Sequence, residues 1–383
     1  MRSSIIATLP ALALGLVAGS PPAWSASQAD GDDFNNFSIE AQSQAASTYM
    51  YAAGDEVERL AGAVAKVDKP ENVNVIAAAV QMGLVAGYSY GSTLGGSKTA
   101  GSGGTGLLPN TPPGEADALS PGDQKEATYK GPITTGAQGP VVDGRAHAKA
   151  TSTPSGAAEF AFQQIDVPGQ FHTDDGASLS RGGPVAGGVE GESSSVLRDI
   201  TIAGVVNIRS LYSRVNAMFP AKAGAAPTGD GVTVVHGATV GGAPVEITSA
   251  GLHLSDQNLG TDQKTQLSQQ ISSALASAHI ENIRVVDATT SRTKSGGLVV
   301  DAGRLLVTYR DNDLAAANPQ GFGGGGFSLG GATVTLNAQR AGDTTSPAGP
   351  AQDTANSSRA TAAKHPMAVA ERPRALPASG RTE

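Results

Sequence analysis

Between residues 196 and 212, Val196, Ile200, Ile202, Val206, Ile208 and Tyr212 all fall on even positions. Successive side chains of a β-strand point to opposite faces, so this two-residue period predicts one long strand, or two joined at Gly204, with a single buried face. The odd positions carry Asp199, Asn207 and Arg209, as a wetted face would. A strand of that length needs hydrogen-bonding partners along its edges, and the chain has to supply them.

Candidate partners lie on both sides of it. Ala158, Phe160 and Phe162 alternate, and Ile165 and Val167 resume on the other parity, which places a bulge near Gln163 and Gln164. Gly241-Gly242 separates two strand-like runs, Thr239-Val240 and Pro244 to Ile247. Two glycines in that setting specify a tight hairpin, because both turn residues take positive φ. Ile283 and Val285 begin another strand, Lys294 to Gly297 turns it, and Val299, Leu305, Val307 and Tyr309 line the return. Thr333 to Ala338 is the last strand. Between the hairpin and these strands Thr261 is placed to cap a helix over Asp262 to His279, with Leu267, Ile271 and Leu275 on one side. Consecutive strands joined by short turns predict an antiparallel sheet, not a doubly wound parallel one.

The first third is less regular. Phe37 to Gln42 alternates as a half-buried strand, and Tyr49 to Tyr51 can continue it. Val57, Leu60, Ala61 and Val64 stand at helical spacing and predict a short helix within Gly54 to Val67; Val73 to Ala86 reads as a buried helix or strand. Gly91 to Pro140 is rich in Gly, Ser, Thr and Pro and is read as a long loop. Glycine makes up 50 of 383 residues and aromatics only 4%. Large buried side chains are therefore scarce, and the glycines are assigned mostly to loops.

Arg2, the apolar run Ile5 to Val17 and the helix-breaking stretch Ala18 to Ala26 together form a secretory signal peptide. Small residues at Ala23 and Ser25 place the cut after Ser25, with Ser27 as the other possibility. The apolar run is too short for the ~20 residues that span a bilayer. The chain has no cysteine, which excludes a lipoprotein anchor, disulfides and thiolate metal sites. A net charge of −8 disfavours nucleic-acid binding, which needs a basic face against the phosphates.

Few motifs carry chemistry. Gly87-Tyr88-Ser89-Tyr90-Gly91 matches the G-x-S-x-G nucleophile elbow and makes Ser89 a candidate catalytic serine. The elbow needs a following helix, and the Gly-rich stretch after it has no helical period, so a glycine-rich turn is preferred. The six histidines are too far apart in the chain for a metal pair; His172 lies near Asp174 and Asp175, while Asp30 to Asp33 and Asp311 to Asp313 read as solvated turns. Gly323 to Gly326 lacks the Lys-Ser/Thr that follows in a phosphate loop. Leu376 to Gly380 looks like a cell-wall sorting pentapeptide with Ser for Thr, but no apolar helix follows it.

The order of parts resembles exported actinobacterial proteins of the choice-of-anchor P group. The resemblance rests on the strand VLRDITIAGVVNIRSLYSRVNA, the hairpin GATVGGAPVEITSAGLHL and the segment IENIRVVDATT, and covers roughly residues 37–340. It implies an envelope-associated or extracellular β-rich protein and transfers no active site.

The sequence thus predicts a mainly β fold with minor α: an antiparallel sheet with one amphipathic helix packed on it, a long Gly/Pro-rich loop and a disordered C-terminal tail. The divisions are a signal peptide (1–25), an N-terminal segment of strand plus short helices (26–90), a linker (91–155), a β-rich domain (156–340) and the tail (341–383). The expected role is non-enzymatic binding or structure outside the membrane, with a cell-wall or lipid component as partner and no cofactor, metal or nucleic acid. Two alternatives stand beside it. One is a carrier holding an apolar ligand in a groove lined by Val196, Ile200, Ile202, Val206, Ile208 and Tyr212; the other is a serine hydrolase using Ser89.

Overall fold

A computed structural model describes residues 33–49, 56–70, 72–82, 114–119, 121–132, 140–151, 154–255, 259–309 and 326–342. The chain first lays down β1 (Phe34–Tyr49), β2 (Glu56–Lys69), β3 (Asn72–Met82) and β4 (Ala116–Ala118). A second sheet then follows without interruption: β5 (Gln124–Pro132), β6 (Val141–Thr151), β7 (Ser155–Val167), β8 (Phe171–Thr173), β9 (Asp175–Val185), β10 (Gly188–Ile202), β11 (Val206–Pro220), β12 (Thr228–Val240), β13 (Ala243–Thr248) and β14 (Gly251–Leu254). After the helix α1 (Thr261–Ser277) the chain returns to the first sheet with β15 (Ile280–Val286), β16 (Thr289–Arg292), β17 (Leu298–Asp301), β18 (Arg304–Tyr309), β19 (Gly326–Leu329) and β20 (Ala332–Arg340). Among the described residues each sheet has ten strands, and every pairing is antiparallel.

The first sheet forks at β1. One edge of β1 is taken by β2, while the other is shared by β20 along residues 34–43 and β19 along residues 46–49. The fork is held where the β19–β20 turn meets β1: Gly330 donates to the Ala45 carbonyl (2.7 Å), and Gln44 donates to that of Gly331 (3.1 Å). Gly330 needs its positive φ of 67° to make that turn.

The two sheets stack as a sandwich. β3 lies over β6 and β7, β2 over β7 and β9, β1 over β9 and β10, and β20 over β10 and β11. Small residues let them meet. Gly156, Gly182, Gly191, Ala217 and Gly229 are cross-strand neighbours running through five strands of the second sheet. A Cβ added at Gly182 would lie 2.8 Å from Ile39 Cγ2, one at Gly191 2.7 Å from Val334 Cγ1, and one at Gly229 2.6 Å from Val300 Cγ2; at Gly156 it would run into Val75. The β-branched side chains of the first sheet thus seat in a glycine-floored channel of the second. Beside the channel a buried hydroxyl cluster crosses the layers. Ser180 donates to the Ala63 carbonyl (2.9 Å) and shares hydrogen bonds with Ser43 (3.0 Å) and Ser193 (2.8 Å), which uses its one donor and both acceptor sites.

The antiparallel, mainly β expectation is met, as are two local ones. Gln163 is the extra residue of the β7 bulge opposite Asp143 and Gly144, and Gly241 (φ 56°) and Gly242 (φ 85°) make the β12–β13 hairpin. The long run resolves into β10 and β11, joined through Ala203 and Gly204, both at positive φ. Other expectations are corrected. The helix expected within Gly54 to Val67 is β2, paired on both edges by β1 and β3. The stretch read as linker contains β4, β5 and β6. In β6 the small Ala146, Ala148 and Ala150 face inward between Arg145, His147 and Lys149, an alternation too low in apolar bulk to stand out. Thr261 is the first helical residue, not the cap; Gly260 precedes it, its N–H donating to Gln263 Oε1 (3.3 Å).

Helix α1 rests on one end of the sandwich with no residue fully buried. Ile271, Ala274, Leu275 and Ala278 are its half-buried face against the core. Gln270 Nε2 donates to the Gly241 carbonyl (2.6 Å), tying the helix to the hairpin turn beneath it.

Candidate binding face

The outer face of the second sheet is the candidate site. On it Ala161, Ala177, Val196, Tyr212 and Val234 are directly opposite one another across β7, β9, β10, β11 and β12. All five are half-buried, so they form a continuous apolar strip perpendicular to the strands. Leu179 and Val232 extend it into the next row, Val232 being 42% exposed.

Ion pairs border the strip on both sides. Arg181 and Glu192 are cross-strand partners joined by a salt bridge, and Arg214 Nε approaches the same Glu192 at 3.4 Å. On the other side Arg198 donates to Asp175 Oδ2 at 2.7 Å. Burial raises the pKa of the Tyr212 phenol, with Arg214 working against that rise and Glu192 with it. Tyr212 is therefore neutral at ordinary pH.

Glu159 and His147 stand opposite each other further along the same face. Burial raises the Glu159 pKa, partly offset by His147 and Arg145. Towards the end of the sheet His172 lies between Asp174 (Nε2 to Oδ1, 2.9 Å) and Asp166 (Nδ1 to Oδ1, 3.4 Å). Asp175, expected beside His172, instead holds Arg198. Among the described residues no three acidic or histidine groups are placed to hold a metal ion.

The six residues of the expected groove do not share a face. Ile200, Ile202, Val206 and Ile208 are buried between the sheets at 0–1% exposure, whereas Val196 and Tyr212 belong to the outer strip. The parity changes because Asp199 (φ 48°) in β10 and Gly237 (φ 67°) in β12 take the left-handed conformation at the level of Arg209. Asp is among the few non-glycine residues that do so at modest cost. Leu197, Ile200, Ile208 and Leu211 consequently all point inward. Ser25 and Ser89 lie outside the described residues. The strip itself had a sequence signal only at Val196, Tyr212 and the Val232-to-Val235 run; its alanines offered none.

The fold is an antiparallel two-sheet sandwich. No family model, curated protein or solved structure matches the chain.

Proposed function

We propose that the chain is an exported protein of the cell envelope or extracellular medium that acts by non-enzymatic binding, with the outer face of the second sheet as its contact surface and the cell wall as its partner. The observation that carries this reading is the cross-strand strip Ala161–Ala177–Val196–Tyr212–Val234, bordered by ion pairs. An apolar row that includes a tyrosine and has charges at its margins has the build of a contact surface, where aromatic residues dominate the energetics and polar rims set orientation. The wall is favoured because the margins supply fixed carboxylate and guanidinium groups that suit a polar polymer. Export is supported by the N-terminal signal and by the likeness to the choice-of-anchor P group.

Co-sedimentation of the full chain with isolated bacterial cell wall, and separately with phosphatidylglycerol vesicles, tests the reading. Retention on wall is expected, and Tyr212→Ser with Val232→Ser should weaken it at least about tenfold, the loss of ~1.4 kcal/mol that one central contact carries. Retention unchanged in the double variant, or none on wall, overturns it. Protein recovered after export should begin at Ala26.

A further inference from the structure

We infer that β5 is a self-pairing edge through which two copies of the chain join their second sheets into one. Among the described residues β4, β5, β14, β15 and β16 are each hydrogen-bonded on one side only. Four of these edges are short, at three, four, seven and four residues, and the seven-residue β15 is flanked by α1 and β14. Two one-sided edges are long: residues 228–237 of β12, which run beyond the short β13 and lie beside β16 and β17, and β5, with nine residues exposed or half-exposed on both faces. Sheet edges of that kind template further pairing.

The backbone on that edge is set for it. Ala150 donates to the Asp123 carbonyl (2.9 Å). Along an antiparallel ladder, residues bonded to one neighbour alternate with residues whose N–H and C=O point the other way. Gln124, Glu126, Thr128 and Lys130 therefore turn their backbone groups outward, away from β6.

The side chains select the register. A two-fold axis through Thr128 places Thr128 opposite itself, Glu126 opposite Lys130 of the second copy, and Ala127 opposite Tyr129. Within each chain Glu126 is already held by Arg145, and Lys130 by Asp143 at 2.7 Å. Pairing then gives two rows of alternating sign across the junction, each charge lying between opposite charges, which is the favourable cross-strand arrangement. Pro132, which lacks an N–H, falls at the last rung opposite Gln124, where it costs the ladder one bond at its margin. Directly opposed residues of an antiparallel pair share a face, so the two outer strips would stand on the same side of the joined sheet.

The chain has no cysteine, so single cysteines report the register without background. Thr128→Cys should form a disulfide-linked dimer under mild oxidation, since opposed Cα atoms about 5.5 Å apart suit the bond. Glu126→Cys should not, because its own copy across the axis would be displaced by about four residues, roughly 13 Å. Light scattering of the unmodified chain should give a dimer mass. Glu126→Lys, which sets lysine against lysine, should shift it to monomer. A monomer at every concentration, or equal crosslinking at positions 126 and 128, overturns the inference.

Discussion

Ser178 and Ser195 stand directly opposite each other in β9 and β10, both fully buried, and neither hydroxyl has a hydrogen-bond partner. Two residues along, on the same face, Ser180 and Ser193 occupy the same kind of site and are bonded to each other. Identical side chains in successive positions of one face thus have opposite energetic standing. Replacing Ser178 or Ser195 by Ala removes an unsatisfied group and should leave stability unchanged or raise it by up to about 2 kcal/mol. Ser180→Ala strands Ser43, Ser193 and the Ala63 carbonyl and should cost about 1–3 kcal/mol. Urea unfolding of the variants side by side checks both signs.

Glycine in the channel is required by a neighbour, not by its own backbone. Gly182→Ala places a methyl against Ile39, and Gly191→Ala places one against both Ile39 and Val334. Each should destabilise by about 1–3 kcal/mol, as overpacking of a core does. Combining Gly182→Ala with Ile39→Ala, which removes the Cγ2 methyl that the new Cβ meets, should cost less than the sum of the two single changes. Strict additivity in that cycle would show that the two residues do not oppose each other.

At Gly241 both causes act together. Its φ of 56° and the 2.9 Å separation of an added Cβ from the Ala274 methyl mean that Gly241→Ala strains the hairpin and lifts the helix. A loss of about 1–2 kcal/mol is expected from the left-handed residue alone. Because α1 buries none of its residues fully, its amides should exchange with solvent faster than those of β10 and β11, and faster still in the variant. Hydrogen exchange resolved by segment reads both.

Glu159 should give stability a pH dependence of the less familiar sign. Burial raises its pKa above 4.5 in the folded chain, so between the unfolded value and the raised one the folded state holds the proton more often. Stability therefore falls as pH rises through that window, and the loss is complete above it. Glu159→Gln should flatten the window, and the variant should gain on the wild type from acid to neutral pH. Melting temperatures at pH 4, 5, 6 and 7 test this; parallel curves would contradict it.

Where side chains are large the sequence announces the fold. Phe160, Phe162, Ile165 and Val167 mark β7 together with its bulge, and Gly241-Gly242 marks its hairpin by a conformational demand that nothing else meets. β2 and β6 were hidden because their inward residues are mainly alanines, whose period is weak and whose intrinsic preference is helical. The glycines of the channel were hidden more deeply. Gly156, Gly182, Gly191 and Gly229 read as loop-formers until Ile39, Val75, Val300 and Val334, distant in the chain, are seen to need the space. At the candidate face the even-position rule failed at one level of the sheet, where Asp199 and Gly237 flank Arg209. The left-handed conformation of these two residues leaves Val196 and Tyr212 outward and Ile200 and Ile208 inward, and no periodicity reveals that.

The glycine channel also has a mechanical meaning. Two sheets that meet through smooth faces can slip along their strands, as stacked plates do. Here a slip of one pleat would drive Ile39 off Gly182 onto Ser180 or Pro184, each of which carries a Cβ where the channel has none. Ratchet-like seating of that kind resists shear parallel to the strands and yields more readily when the layers are peeled apart. Tension applied along β1 should therefore meet a stiffer molecule than tension applied across it.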